Sequence, residues 1–489
     1  MLKFGWSKKS IAMDGPVGII GQPHLRISRG IMDENFVTAL VIDDGEETVL
    51  LLSGDLIFVD DGLIHEVRKE IRARNPKIPA ERLLFNATHN HTSPRYERHT
   101  DYDLAPHGGI TVTDPEVCRR YIVSQAADAI AEAYAKRQVG SYAYGYGYAV
   151  IAHHRRPTYF DDLRSRPEKA SAAFAVNKHA KMYGSTLDIA FAGYEGGVDN
   201  TVNLLFTFDR AGALSGMIVN VSCPSQCSEQ AEYLTADFWT ELRTLVKETY
   251  GDVFVLPQCA CAGDVAPRAL HGWDAETRRR RLKNTEELSP VTFSRTEIAR
   301  RILAAINECY AWAKRELITD APLFHTVRTL HLDAWQVSDE EYRAIKEERD
   351  ELLARGFVDT EDKQADFREN TRRAWMIGRC NAIIEVYEKK RTHREAEIHL
   401  IRLGDVAFAS NPFELYTDYQ HRIQARSPFI QTFPVQLAAQ IDADGYLCTA
   451  RAAENMGYSA VVQSCSVSPA GGDVLVEETL RALNELYQK

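Results

Sequence analysis

The sequence predicts an α/β fold in which mixed β-sheets are sandwiched with helices. Runs rich in β-branched residues pair into hairpins across turn residues, and amphipathic helices follow several of these runs. The order strand, helix, strand also occurs in the middle of the chain, which is typical of a crossover unit. A chain of 489 residues, with 45% hydrophobic and 26% charged residues, has enough apolar material for such a core. We expect a single domain over residues 1–489.

The first third of the chain begins with a hairpin and continues with a helix, a strand and a second helix. Asp43-Asp44-Gly45 is a hairpin turn signal. Asp114 followed by Pro115 is typical of a helix start, an N-cap and then an N1 proline. The predicted elements are the strands Thr38–Ile42 and Thr48–Ser53, the helix Ile64–Arg74, the strand Leu83–Ala87 and the helix Val117–Lys136.

The middle of the chain predicts a second hairpin and then a crossover. Thr235 is the expected N-cap of the central helix, and Gly251 is expected to end it. The predicted elements are the strands Asn203–Phe208 and Leu214–Val221, the helix Asp237–Tyr250 and the short strand Val253–Leu256.

The sequence pattern of residues 338–392 predicts a pair of charged helices. We interpret this pair as an excursion from the core. Ser338 and Glu341 have the spacing of a capping box. Beyond this pair, the predicted elements are the hairpin strands Ile398–Leu403 and Val406–Ser410 and a closing helix over Val474–Tyr487.

Charge and composition exclude several classes of protein. The formal net charge is -11, which argues against binding to nucleic acid or to an anionic membrane surface. The sequence contains no apolar run long enough to insert into a membrane and no signal-peptide pattern. Nine cysteines in a long chain are an odd number and do not indicate a disulfide framework. We therefore expect a cytoplasmic protein that binds a small-molecule substrate, and the sequence leaves room for a homo-oligomer.

Two histidines follow the predicted strand Leu83–Ala87. In an extended or turning segment, His89 and His91 can direct both imidazoles at one point, or supply one metal ligand and one neighbour that polarises a substrate. The alternative is that both histidines are structural.

Three further loops also begin where a predicted strand ends, and each contains a residue with ligand or acid–base chemistry. Cys223 has a thiolate that zinc accepts, although a buried structural cysteine is the alternative. Cys259 and Cys261 have the spacing of a soft metal pair but no partner pair nearby. Asp264 is a candidate general base or a carboxylate that supports the ligands, and Arg268 is a candidate substrate-binding residue. Glu414 is a candidate ligand, with an ordinary surface glutamate as the alternative. Open α/β sheets build their sites at the carboxyl ends of strands, so we expect these loops to meet.

A polar cluster lies at His153-His154-Arg155-Arg156. Its side chains have the chemistry to clamp an anionic or hydroxylated substrate group, which makes His154 and Arg156 candidate substrate-binding residues. An ordinary surface loop is the alternative.

Taken together, these segments resemble the neutral/alkaline (non-lysosomal) ceramidase family, and the resemblance runs over most of the chain. Residues 87–94, Ala-Thr-His-Asn-His-Thr-Ser-Pro, are similar to the family's Ala-Thr-His-Thr-His-Ser-Gly-Pro. Residues 155–157 resemble its Asn-Arg-Ser-Pro loop, and residues 262–265 its Gly-Asp-Val-Ser-Pro nucleophile loop. Residues 445–449 resemble its tyrosine segment.

The resemblance implies a ceramidase-like catalytic domain that holds one Zn²⁺ ion. In the family the ligands are two histidines, a glutamate and a tyrosine. The matching positions here are His89, Glu414 and Tyr446, and Cys223 falls at the second histidine if one residue is dropped from the loop. His91 and Arg155 match residues that position or polarise the substrate, and with Asp264 they form the expected catalytic set.

Two departures from the family bear on function. Ala266 stands where the family has its nucleophile serine, and the chain ends soon after the catalytic region, which implies a short member without the C-terminal β-sandwich domain. The function expected on this basis is a zinc-dependent hydrolase that cleaves an amide or N-acyl bond of a soluble polar substrate. Hydrolysis of a glycosidic or other carbohydrate-linked bond and a non-catalytic binding role on the same scaffold are the alternatives.

Overall fold

A computed structural model of the chain describes residues 1–167, 171–283, 285 and 287–489. Within these residues, three larger sheets form the interior and helices cover their outer faces, so the predicted α/β fold with mixed sheets is confirmed. Leu51 of the first sheet, Ile218 of the second and Phe408 of the third lie in one fully buried cluster. The sheets therefore pack on one another through a shared apolar core.

The first sheet is built from the N-terminal third of the chain. The predicted hairpin is present, and the strand that carries His89 at its end joins the hairpin in parallel. Asp60 and Asp114 cap the two helices that pack on this sheet. The strands are, in sheet order, Leu83–Ala87, Thr48–Gly54, Phe36–Asp43, Lys3–Ser10 and Gln138–Val139, and the helices are Asp61–Arg74 and Pro115–Ala135.

The second sheet contains the predicted crossover, since the two strands that come last in the sequence, Leu214–Val221 and Phe254–Cys259, pair in parallel. The prediction that Thr235 caps the following helix is wrong. Asp237, at φ 55°, is the N-cap, while the Thr235 hydroxyl donates to Asp33. The strands are, in sheet order, Phe254–Cys259, Leu214–Val221, Thr201–Phe208 and Ser141–Tyr148, and the covering helices are Phe238–Tyr250 and Pro290–Ala313.

The third sheet holds the hairpin that was predicted near residue 404. Its strands are, in sheet order, Leu323–Asp333, His393–Leu403, Val406–Ser410 and Gln431–Val435, and the helices against it are Thr417–Arg426 and Pro469–Tyr487. The charged segment at 338–392 forms the helices Asp339–Arg355 and Lys363–Lys389, hereafter the helical pair, and Ser338 with Glu341 makes the expected capping box.

The remaining elements are short. The shorter helices are Thr100–Asp103, Trp273–Leu282 and Ala450–Asn455, with 3-10 turns at Ala80–Arg82 and Leu163–Ser165. The paired short strands are Gly18–Ile19 with Arg26–Ile27, Pro157–Tyr159 with Phe191–Tyr194, His153–His154 with Val265–Ala266, and Glu414–Leu415 with Tyr446–Leu447. In the described part of the chain, no helix has the length and apolar character needed to cross a membrane.

Candidate functional site

The four loops that follow strand ends come together between the sheets. The Ser225 hydroxyl donates to the carbonyl of Thr88 at 2.8 Å, and the His91 amide donates to the carbonyl of Ser225 at 3.3 Å. The Gly263 amide donates to the carbonyl of Leu415 at 2.9 Å. Loops from all three sheets therefore surround one point, as the position of a site at strand ends requires.

His89 is the first residue of the site, and its backbone is in the left-handed region with φ 56°. Non-glycine residues adopt this conformation rarely, and it is common at functional sites. The Nδ1 atom lies 3.0 Å from the carbonyl oxygen of Ile57. Because a carbonyl can only accept, Nδ1 carries a proton, and Nε2 presents a lone pair when the ring is neutral and a second donor when the ring is protonated. This Nε2 lies 3.1 Å from Oε2 of Glu414.

His91 is oriented in the same way, with Nδ1 2.9 Å from the carbonyl oxygen of Gly21. Its Nε2 lies 3.3 Å from Nε2 of His89 and 2.6 Å from Nε2 of Gln226, whose amide donates to it. Burial lowers the pKa of His91 well below its ordinary value, and the neighbouring charges of His89 and Arg26 add to this shift. His91 is therefore neutral at pH 7.

Glu414 and Tyr446 lie opposite each other in a pair of short parallel strands. Burial alone would raise the pKa of Glu414. The charges of His89 and Arg155, and the hydrogen bonds from His89 and Tyr446, have the larger effect, so this pKa lies below its ordinary value. Burial raises the pKa of Tyr446 well above its ordinary value, against the opposing charge of Arg155. The pair is thus a carboxylate that accepts a hydrogen bond from a phenol.

Arg155 lies beside this pair and is 2% exposed. Its Nη2 donates to the carbonyl of Gly263 at 2.8 Å, and the guanidinium carbon lies 5.4 Å from the ring centroid of Tyr446. Among the described residues, its Nε has no hydrogen-bond partner. Arg155 therefore provides a positive charge and one unused donor next to Tyr446.

Two donor atoms of this site have the spacing of two ligands on one divalent metal ion. Two ligand atoms on one tetrahedral zinc ion, at bond lengths of 2.0–2.1 Å, lie about 3.3 Å apart, close to the 3.1 Å between His89 and Glu414. A lone pair and a carboxylate at this distance require a proton or a cation between them. Within the described residues, no group of three or more His, Cys, Asp or Glu side chains forms a metal-binding cluster. The candidate set has two residues of these types, His89 and Glu414, and Tyr446 is its third.

Cys223 does not contact this set through any described interaction. Its thiol lies 3.5 Å from the carbonyl oxygen of Ile151 and 3.7 Å from that of Pro224, inside the apolar core of the second sheet. Burial raises the pKa of this thiol well above its ordinary value, with the nearby Cys259 adding to the shift. The structural alternative therefore describes Cys223 better than the ligand role. Gln226, three residues further on, is the residue of this loop that reaches the histidines.

Asp264, expected to act as a catalytic base, holds Thr417 in place in this structure. Its carboxylate accepts from the amide and the hydroxyl of Thr417, each at 3.0 Å, and lies 3.5 Å from Nε2 of His154. Although burial alone would raise it, these contacts with His154 and Thr417 hold the pKa of Asp264 below its ordinary value. Asp264 and His154 therefore fix the start of the helix Thr417–Arg426.

Two arginines that were expected to bind substrate lie in opposite environments. Arg156 is fully buried, forms a bidentate pair with Glu195, and donates to the carbonyls of Met456 and Tyr458. These contacts give Arg156 a structural role instead of the predicted role in substrate binding. Arg268 is exposed, with its guanidinium 4.6 Å from the ring centroid of Tyr183.

Ala266, at the position where the resemblance implies a serine, is 1% exposed and pairs with His153 in a two-residue ladder. The methyl side chain of Ala266 cannot act as a nucleophile in this site. The polar side chains of the site are those of His89, His91, Arg155, Gln226, Glu414 and Tyr446.

The fold is ceramidase-like. The structure superposes on the crystal structure of neutral ceramidase from Pseudomonas aeruginosa with a TM-score of 0.67 and 16% sequence identity, covering 99% of this chain and 75% of that chain. A ceramidase complexed with C2 is similar at the same TM-score and identity, with 100% and 75% covered. No protein-family model and no curated protein sequence matches the chain. At this level of identity the likeness concerns the fold.

Proposed function

We propose that the protein is a zinc-dependent hydrolase that cleaves the amide or N-acyl bond of a polar small molecule. The observation that carries this proposal is the contact of His89 with Glu414, which pairs with Tyr446, together with His91 at 3.3 Å from His89. The two structural neighbours are described as ceramidases, which act on an N-acyl bond, and this supports the choice of bond.

His89, Glu414 and Tyr446 are the proposed zinc ligands. Catalytic zinc sites use three protein ligands and keep a fourth position open, so the set is complete without Cys223. A bound zinc ion supplies Lewis acidity, which polarises an amide carbonyl and makes water more acidic. The raised pKa of Tyr446 keeps its phenol protonated beside Glu414 in the absence of a cation, so zinc binding releases a proton.

The other residues of the site position the substrate and move protons. Neutral His91 keeps its Nε2 within hydrogen-bond reach of the site, and Gln226 fixes its ring orientation. In our proposal the Gln226 amide releases Nε2 of His91 when substrate binds, and His91 then accepts and returns a proton as the amide breaks, while Arg155 uses its free Nε donor on a substrate oxygen. Water then replaces the serine that Ala266 cannot supply.

Metal analysis and a substrate screen test the proposal. We expect about one zinc per chain, hydrolysis of simple N-acyl amines with release of the free amine, and loss of both in Glu414→Gln. Chromogenic glycosides serve as the comparison substrates and should be left intact. Stoichiometric zinc without turnover of any N-acyl compound would support a binding role instead.

A further inference from the structure

A cavity of about 400 Å³ borders the candidate site, with Glu414 and Tyr446 in its lining. The helical pair contributes to the same wall through Arg379, Ile383 and Val386. This volume is that of a small-molecule pocket. The charged segment that the sequence presents as an excursion therefore helps to shape the space next to Glu414.

Arg379 enters this cavity with only neutral partners. Its Nε donates to the carbonyl of Ala173 at 2.7 Å, and its Nη2 donates to the hydroxyl of Ser464 at 3.0 Å. The guanidinium also lies over three aromatic rings, 5.5 Å from the centroid of Trp375 and 5.8 Å from those of Phe174 and Tyr458. These contacts hold the group flat and in one place.

No carboxylate among the described residues forms an ion pair with Arg379. Burial lowers the pKa of Arg379, and the groups that oppose this shift, led by Tyr458 and Tyr446, are tyrosines and cysteines. A largely desolvated charge without a counter-ion is unfavourable, and an anionic ligand removes that cost. A planar guanidinium also matches a carboxylate or a phosphate in two parallel hydrogen bonds.

The other charges of the cavity have different surroundings. Asp442 accepts from Arg391 at 2.8 Å and from Arg394 at 3.2 Å, so each of these arginines has a carboxylate partner. Glu414 belongs to the candidate metal set. Asp444 is exposed to solvent, and it disfavours a second negative group at its edge of the cavity. Arg379 is thus the cation in the described lining of this cavity that has no carboxylate partner.

We infer that Arg379 binds an anionic group of the substrate, so that the substrate is an N-acyl compound with a carboxylate or a phosphate on the same molecule. This inference rests on the proposed function for the bond that is cleaved. Trp335, Ile383 and Val462 supply apolar surface in the same cavity for the hydrocarbon part.

Binding of three related probes to the full-length protein in zinc-containing buffer tests the inference. N-hexanoylglycine carries a carboxylate, N-hexanoyl-phosphoethanolamine carries a phosphate, and N-hexanoylglycinamide is neutral. Calorimetry gives each Kd, and amine release is followed in parallel. The variants are Arg379→Gln and Arg379→Lys, with Arg372→Gln as the matched control because Arg372 is exposed on the same helix. Melting temperatures show whether each variant is folded.

We expect the wild type to bind at least one anionic probe about ten- to hundredfold more tightly than the neutral probe, as for a hydrogen-bonded charge pair. Arg379→Gln should abolish this preference, Arg379→Lys should keep part of it, and Arg372→Gln should keep all of it. The inference is overturned if the wild type binds none of the probes, shows no preference, or keeps its preference in Arg379→Gln. Selective binding of an anionic probe without amine release would support the role of Arg379 and contradict the hydrolase.

Discussion

Replacing Gly263 with alanine tests whether the convergence of loops holds the site in place. A Cβ atom at Gly263 would lie 2.2 Å from the carbonyl oxygen of Glu414 and 2.8 Å from its carbonyl carbon. Ordinary contacts begin at 3.4 Å, so the two backbones must separate by about 1.2 Å. The obstacle is backbone rather than a flexible side-chain end, so the strain cannot relax by a rotamer change.

We expect Gly263→Ala to destabilise the protein by about 1–3 kcal/mol, the usual range for overpacking a tight interior. The separation also displaces Glu414 from His89, and a displacement of about 1 Å at a site can reduce catalysis about a hundredfold. Metal ligation tolerates only a few tenths of an ångström, so zinc affinity should fall as well.

Urea unfolding, zinc content and N-acyl hydrolysis are measured on Gly263→Ala and on Gly197→Ala. Gly197 is the matched control, because a Cβ atom there meets nothing within 4 Å. Wild-type stability and wild-type zinc content in Gly263→Ala would refute the reasoning that this close approach positions Glu414.

Three further predictions concern Cys223, Arg156 and His325. Cys223→Ala should keep its zinc while His89→Ala loses it, as measured by metal analysis of purified protein; loss of zinc in both would restore the cysteine as a ligand. Arg156→Gln should lower the free energy of unfolding by about 3–5 kcal/mol, because it leaves a buried carboxylate unpaired, whereas Arg268→Gln at the surface should change it little. Burial, aided by the charge of a neighbouring histidine, lowers the pKa of His325 well below its ordinary value, so the folded state keeps this ring neutral and stability is lost as the pH falls below about 6.5. In His325→Leu, the loss of stability between pH 7.5 and 5.5 should be smaller by about 1.4 kcal/mol in urea titrations, and an unchanged loss would contradict this assignment.

Patterns local in sequence predicted the fold well. The Asp-Asp-Gly turn, the Asp114-Pro115 start and the Ser338 capping box depend on neighbours within a few residues, and each is present. Thr235 was the wrong cap because its hydroxyl donates a hydrogen bond to Asp33, about two hundred residues away. That competition is invisible to a local pattern.

The candidate site could be predicted only as a set of loops. Strand ends indicated where polar loops would meet, but the partner of each side chain depends on packing. The sequence predicts an Arg156 that is available to a substrate, whereas in the structure Glu195 pairs with it. Gln226 had no ligand-type chemistry to single it out, and Cys223 drew attention instead, although the loop turns its sulfur towards the carbonyl of Ile151.

Diffraction from crystals grown with zinc, recorded on both sides of the zinc absorption edge, tests the central claim most directly. We expect an anomalous peak about 2.0–2.2 Å from Nε2 of His89, a carboxylate oxygen of Glu414 and the phenolic oxygen of Tyr446. No peak at that position, or a peak bonded to Cys223 and Cys259 instead, would contradict it.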